Sequence, residues 1–85
     1  MKIKVLGPGC PRCNYVEEIT RKALAELGVT ADIEHVRDID KIIEHRILHT
    51  PGLVINEQVV CSGRVPGQSE VTQFIRNALE KERQD

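Results

Sequence analysis

Apolar and polar residues recur along this 85-residue chain with two different periods. The first period is two: Ile3 and Val5 alternate with lysines, which predicts a β-strand over residues 2–7. Beginning at Tyr15, apolar residues recur every three or four positions, as on one face of a helix, and Gly28 is placed to end it. The apolar residues of this face are Val16, Ile19, Ala23, Leu24 and Leu27.

The middle of the chain, from residue 30 to residue 47, predicts a second strand and a second helix. Residues 30–36 predict a strand, and the acidic Asp32 and Glu34 favour the edge of a sheet. Asp38 is expected to cap a short helix, which needs tertiary packing because β-branched residues are poor helix formers. The residues predicted on its buried face are Ile39, Ile42, Ile43 and Ile47.

The last third of the chain predicts a hairpin followed by a helix. Residues 53–55 are uniformly apolar, as in a central strand, and residues 59–61 predict its partner. Asn56 and Glu57 fit a two-residue turn between these strands. Ser69 is expected to cap a final helix that ends in a polar tail. The apolar face of this helix consists of Val71, Phe74, Ile75, Ala78 and Leu79.

The predicted order is therefore β-α-β-α-β-β-α within one domain over residues 1–85, since no repeat or linker interrupts the pattern. This order predicts an α/β fold with a four-stranded mixed sheet and helices on both faces. A net charge of −1 and 2% aromatic residues exclude the basic or stacking surfaces of nucleic-acid binders. No apolar run is long enough for a signal peptide or a membrane span, so we expect a cytoplasmic protein without a membrane partner.

A Cys-x-x-Cys motif stands between the first strand and the first helix. Cys10 and Cys13 are three residues apart and follow a Gly-Pro-Gly at residues 7–9. At a helix start they lie on one side of the first turn, where the helix dipole favours a thiolate and Arg12 adds a cation. Pro11 suits this turn because its missing N–H would have no partner there. In the cytoplasm structural disulfides are rare, so the motif indicates redox catalysis or metal binding.

With this motif in place, the sequence resembles the small thioredoxin- or glutaredoxin-like redox-active disulfide proteins of archaea and bacteria. The matching features span nearly the whole chain and include a Thr-Pro about forty residues after the cysteines. They are the Gly-x-Gly-Cys-x-x-Cys at residues 7–13, the Leu-Gly at 27–28, the Pro-Gly-Leu at 51–53 and the Gly-Arg-Val at 63–65. The resemblance implies a minimal thioredoxin-like fold and a thiol–disulfide oxidoreductase that needs no cofactor.

The resemblance also implies roles for individual residues. Cys10 would be the exposed nucleophile that attacks a substrate disulfide, and Cys13 the resolving thiol that releases the mixed disulfide. Pro51 would be cis and face the cysteines, and the backbone of Thr50 would offer hydrogen bonds to a bound polypeptide. Arg12 and His49, two residues before Pro51, are candidates for tuning the pKa of the thiols.

Departures from the family patterns bear on the partners. Gly9 stands where thioredoxins have Trp, and Cys-Pro-x-Cys is nearer the glutaredoxin motif. Residues 62–64 read Ser-Gly-Arg and lack the acidic residue with which glutaredoxins bind glutathione. The sequence therefore favours protein disulfides as substrates and a thioredoxin-reductase-type electron donor, and it does not favour glutathione.

Two other functions compete with the redox interpretation. Paired thiolates also suit Cu(I) or Zn(II), which makes a soft-metal carrier the main alternative. Copper chaperones place a Met where this chain has Pro8, and they end on a strand whereas this chain predicts a final helix. A binding module that had lost the chemistry is disfavoured because both cysteines are present.

The remaining cysteine and histidines carry weaker signals. Cys61 lies in a predicted strand, where a free cysteine commonly packs as a small hydrophobe; a third redox thiol is the alternative. A structural zinc site requires four ligands, and the sequence has no second pair of Cys or His residues at a suitable spacing. We therefore predict no metal site. His35 and His45 are expected to be solvated.

Overall fold

The computed structural model describes residues 1–9, 11–47 and 49–83. Within these ranges the predicted order of elements is confirmed. The elements are β1 (Lys2–Leu6), α1 (Pro11–Leu27), β2 (Asp32–Val36), α2 (Ile39–Glu44), β3 (Gly52–Ile55), β4 (Gln58–Ser62) and α3 (Gln68–Arg83). None of the described helices is both long and apolar enough to cross a membrane.

The four strands form one mixed sheet in the order β2-β1-β3-β4. β1 runs parallel to β2 and antiparallel to β3, which in turn is antiparallel to β4. The predictions of an edge position for β2 and an interior position for β3 are confirmed. In this arrangement the C-terminal ends of β1, β2 and β4 and the N-terminal end of β3 meet at one end of the sheet. We call this the loop end, because the Gly-Pro-Gly loop and the Thr50–Pro51 segment lie there.

A two-residue turn joins β3 to β4, as predicted. Asn56 and Glu57 have φ angles of 49° and 70°. Two successive positive φ angles are characteristic of the type I′ turn, whose twist matches that of the two strands in a hairpin. The Asn56 side chain also accepts from the Lys2 N–H (3.0 Å) and donates to the Glu82 carboxylate (2.8 Å). Asn56 thus holds the hairpin against the start of β1 and the end of α3.

Buried residues form two clusters, one on each face of the sheet. The major core lies between the sheet and helices α1 and α3, and it comprises Ile3, Val5, Val16, Ala23, Leu24, Leu53, Ile55, Cys61, Val71 and Ile75. The minor core lies between the sheet and α2, and it comprises Leu6, Val36, Ile42 and Val54. Because successive residues of a strand point to opposite faces, β1 and β3 supply both clusters. The predicted α/β fold with helices on both faces is confirmed.

The start of α1 agrees with the prediction, and the start of α3 differs from it. α1 begins at Pro11, as predicted for the first helical turn, and the apolar pattern that starts at Tyr15 follows one turn later. Ser69 is not the cap of α3 but lies within its first turn. The Gly67 carbonyl accepts from the Val71 N–H (3.1 Å), and the Glu70 carboxylate accepts from the Gly67 N–H (3.3 Å). This reciprocal arrangement makes Gly67 the capping residue.

The predicted buried face of α2 is largely wrong. Ile42 is buried, whereas Ile39 and Ile43 are 64% and 62% exposed. Ile47 lies beyond the helix and packs against the minor core while partly exposed. α2 has only six residues, and it packs on three buried side chains of the sheet, those of Leu6, Val36 and Val54. One isoleucine of the helix is enough to cover this small apolar area. The predicted cap is confirmed, because the Asp38 carboxylate accepts from the Asp40 N–H (2.9 Å).

Candidate active site

Cys13 lies in the first turn of α1 and is completely buried. Its neighbours in this turn, Pro11 and Arg12, are exposed. Cys10, the predicted nucleophile, lies outside the described residues, so its pairing with Cys13 stays a prediction. The first turn of α1 contains no acidic residue that would oppose the positive end of the helix dipole.

Gly7 makes room for the sulfur of Cys13. A Cβ placed on Gly7 would overlap Cys13 Sγ, and it would lie 3.2 Å from Cys13 Cβ. The Gly7 N–H donates to the carbonyl of Val36 (2.9 Å), which continues the pairing of β1 with β2 by one residue. Glycine is therefore required here by close approach, and the backbone that approaches the thiol is fixed to the sheet.

The Thr50–Pro51 segment reaches the same place from β3. The Thr50–Pro51 peptide bond is cis, as the resemblance implies. Pro51 is buried, and its carbonyl accepts from the Gly63 N–H (2.9 Å). Thr50 Cβ lies 3.9 Å from the point where a Gly7 Cβ would stand, so Thr50 and Cys13 approach the same glycine. The substrate-binding roles of Thr50 and Pro51 stay predictions.

Arg12 and His49 meet at Gly63, in the loop that follows β4. Arg12 Nη2 donates to the Gly63 carbonyl at 3.4 Å, and His49 Cβ lies 3.2 Å from where a Gly63 Cβ would stand. Gly63 has a φ of 78°, which glycine adopts without strain. Both side chains are exposed. The structure thus brings these two predicted residues together at the loop end, and their effect on the thiols stays a prediction.

Arg37 is a charged residue at this end that the sequence reasoning missed. Its Nη1 lies 3.3 Å from where a Cβ of Gly9 would stand, and Gly9 has a φ of 100°. Arg37 directly follows β2, and β2 pairs in parallel with β1, so both strands end side by side. A signal was present in the sequence, since residues after parallel neighbouring strands emerge at the same edge. Using it required knowing that the two strands pair.

Comparison with known proteins agrees with this geometry. A family model described as thioredoxin domain matches residues 1–76. The chain belongs to the thioredoxin family. It is 36% identical over 78 residues to a thioredoxin of Methanocaldococcus jannaschii, covering 92% of this chain and 90% of the relative. It is 33% identical over 75 residues to a thioredoxin of Methanothermobacter thermautotrophicus, covering 88% and 97%.

A further relative is a probable thioredoxin of Methanothermobacter marburgensis, 31% identical over 84 residues, with 94% of this chain and 98% of the relative covered. The predicted resemblance to a small archaeal thioredoxin-like family is confirmed. Membership of the thioredoxin family makes this chain a protein-disulfide oxidoreductase.

The third cysteine of this thioredoxin-family chain is part of its core. Cys61 is 8% exposed and belongs to the major core, as the packing interpretation predicted. Burial raises the pKa of the Cys61 thiol, and the positive charge of Arg64 offsets only part of this effect. The thiol donates a long bond to the Arg64 carbonyl (3.9 Å). A thiol held protonated in this way is a poor nucleophile at neutral pH.

An ion pair closes the loop between β4 and α3. Arg64 donates from Nη1 and Nη2 to the two oxygens of Glu70, at 2.9 and 2.7 Å. This hydrogen-bonded pairing raises the pKa of Arg64, and together with the Gly67 N–H it lowers the pKa of Glu70. The charge of Arg64 is thereby matched within the chain.

Proposed function

We propose that Cys10 and Cys13 are the redox pair of this oxidoreductase and that its substrates are protein disulfides. The Cys10 thiolate attacks one sulfur of the substrate disulfide, and the other substrate sulfur leaves as a thiolate that takes up a proton. Cys13, after losing its proton, attacks the Cys10 sulfur of the mixed disulfide and displaces the second substrate thiolate. The substrate gains two electrons and two protons, and the chain ends with a Cys10–Cys13 disulfide.

The observation that carries this proposal is the burial of Cys13 in the first turn of α1, against Gly7. A sulfur without exposed surface cannot meet the disulfide of a folded protein, but it can meet the sulfur of a residue three positions earlier on the same turn. Burial thus supports the resolving role for Cys13 and leaves the attacking role to Cys10. The helix dipole and the absence of acid in the first turn support a thiolate there.

The proposal includes the partners of the reaction. A substrate segment would lie along Thr50, whose side chain stands next to Gly7. A dithiol protein of the thioredoxin-reductase type would return the electrons. Glutathione is not favoured, because residues 62–64 lack the acidic side chain and Glu70, in the first turn of α3, is bound to Arg64. A cytoplasmic location belongs to the same proposal.

Metal carriage gains no support from the chain's relatives, which are thioredoxins. Within the described parts of the chain, no group of three or more His, Cys, Asp or Glu side chains is placed to hold a metal ion. The experiment that tests the redox pair also separates it from a metal site, since it is performed on metal-free protein.

Metal-free protein is equilibrated in buffers of graded dithiol-to-disulfide ratio, its thiols are alkylated, and intact masses are measured. We expect one two-electron transition in the native chain and in a Cys61→Ser control. Cys13→Ser should lose this transition and accumulate a mixed disulfide with a substrate peptide. If no Cys10–Cys13 disulfide forms at any ratio, the proposed function is wrong and metal binding becomes the hypothesis to test.

A further inference from the structure

We propose that Arg12 and Arg37 form a cationic rim on the two sides of the active-site loop and select substrate disulfides flanked by acidic residues. This inference rests on the proposed function and adds to it the chemistry of the partner. The partner it fits is a protein segment with Asp or Glu within a few residues of the disulfide.

The first side of the rim is Arg37. Its guanidinium lies against Gly9, the residue before Cys10, at 3.3 Å from where a Cβ would stand. Gly9 has no side chain, so the Arg37 guanidinium is adjacent to the backbone that leads into the motif. The Arg37 side chain is exposed and open to a ligand.

The second side of the rim is Arg12, inside the motif. Its guanidinium is directed toward the Gly63 carbonyl at 3.4 Å, after the end of β4. Arg37 follows β2, and β2 and β4 are the two outer strands of the sheet. Arg37 thus reaches inward from the β2 edge to Gly9, and Arg12 reaches outward from the motif toward the β4 edge, so the two cations lie on opposite sides of the motif. A substrate segment that crosses the motif would pass both.

Neither cation is neutralised by the described residues. The ion pairs among residues 1–9, 11–47 and 49–83 are Lys4–Glu57, Arg21–Glu17, Lys22–Glu18 and Arg64–Glu70. Asp38, next to Arg37 in the chain, has its carboxylate hydrogen-bonded to the Asp40 N–H. Arg12 and Arg37 have no carboxylate within 4.0 Å in this part of the chain, so their charges act outward.

Unpaired charges around a reactive group act mainly on the encounter rate. Complementary charges speed association, like charges slow it, and both effects weaken as salt screens them. We therefore expect the rim to appear as a preference among substrates of different charge at low ionic strength. The preference should be strongest when both arginines are present.

The test uses three cyclic peptides with the same disulfide and with Glu, Gln or Lys on both flanks. Reduction by the fully reduced chain is followed at low salt, and second-order rate constants are compared. The native chain should reduce the Glu peptide about tenfold faster than the Lys peptide, and the ratio should approach one at about 1 M salt, where the Debye length is about 3 Å.

Variants assign this ratio to the rim. Arg37→Gln and Arg12→Gln should each lower the Glu-to-Lys ratio about threefold, and Arg37→Glu should reverse the preference. Arg76→Gln, which removes an exposed arginine from α3, is the matched control and should keep the native ratio. Because each ratio compares substrates of one variant, any change in thiol reactivity divides out.

The outcomes separate the two proposals. Equal rates on the three peptides, or a preference that Arg37→Glu leaves in place, would overturn the rim and leave the redox function intact. Failure of the native chain to reduce any of the three peptides, the neutral one included, would overturn the proposed function itself.

Discussion

The two faces of the sheet are built from the same strands but are covered unequally. Among the described residues the major core has ten buried members under two long helices, and the minor core has four under a helix of six residues. β3 illustrates the division: Leu53 and Ile55 point to the major core and Val54 to the minor one. Apolar burial, and with it most of the stability, is therefore concentrated on the face of α1 and α3.

The difference between the faces bears on the site. Cys13 lies on the buried face of α1, the same face that packs into the major core, so its sulfur is held on the better-packed side of the sheet. Arg37 and Thr50 come from the segments before and after α2, the helix that covers the minor core. The sulfur of Cys13 is therefore held by many buried neighbours, while the segments proposed to meet the partner are attached to a helix with few.

The largest effect should follow from a truncation in the major core. Ile75 on α3 is completely buried, and Ile75→Ala removes its buried methyl groups and leaves a cavity among well-packed neighbours. We expect the free energy of unfolding to fall by about 4 kcal/mol. Urea unfolding followed by far-UV circular dichroism measures it, since the chain has no Trp and its single Tyr15 is exposed.

The same substitution in the minor core should cost less. Ile42→Ala is expected to lower the free energy of unfolding by about 2 kcal/mol, because fewer neighbours surround the side chain and the exposed helix can settle onto the sheet. Ile43→Ala, at the exposed neighbouring position, is the matched control and should change it by less than about 0.5 kcal/mol. A loss at Ile42 as large as the loss at Ile75 would contradict the inequality of the two faces.

One replacement on the major face should stabilise the chain. His35 pairs in register with Val5, so it points toward the major core, and its Nε2 is buried without a partner among the described residues. This corrects the expectation that His35 is solvated. His35→Val removes the unpaired nitrogen and suits a strand, so we expect a gain of about 0.5–1 kcal/mol in unfolding free energy. A loss of stability would instead assign the ring a packing role.

The smallest effect concerns the ion pair at the start of α3. The pKa of Glu70 is lower in the folded chain, so its carboxylate contributes stability at neutral pH that is lost as pH falls below its ordinary value of about 4.3. Melting temperatures of the native chain and Glu70→Gln should differ slightly at neutral pH and converge in acid. Arg64→Gln should reproduce the difference, and a difference that grows in acid would contradict the pairing.

Much of the fold could be predicted because it depends on local signals. The alternation of β1, the uniformly apolar β3 and the Asn56-Glu57 turn each specify one element without knowledge of its neighbours. The face of α2 could not be predicted in this way. Its isoleucines satisfy helical periodicity, but how many are buried depends on how many sheet residues lie opposite, and that is a tertiary property.

The candidate site shows the same contrast between features set by local sequence and features set by tertiary structure. The place of Cys13 in the first turn of α1 could be predicted from the sequence motif, while the approach of Thr50 to this turn was expected only from the family resemblance. Arg37 was missed because its position beside the motif depends on the parallel pairing of β1 with β2. The residues around Arg37 in the sequence do not indicate which strand β2 pairs with.

The close approach of Gly7 to Cys13 also gives the chain a built-in spectroscopic reporter. The sulfur lies against the α-carbon of Gly7, and the Gly7 amide is fixed by its bond to the Val36 carbonyl. A change at the sulfur therefore alters the magnetic surroundings of a nucleus whose position is otherwise constant. In an isotope-labelled sample the Gly7 amide resonance should shift when Cys13 is oxidised or alkylated, so one peak would follow turnover without an added dye or coupled enzyme.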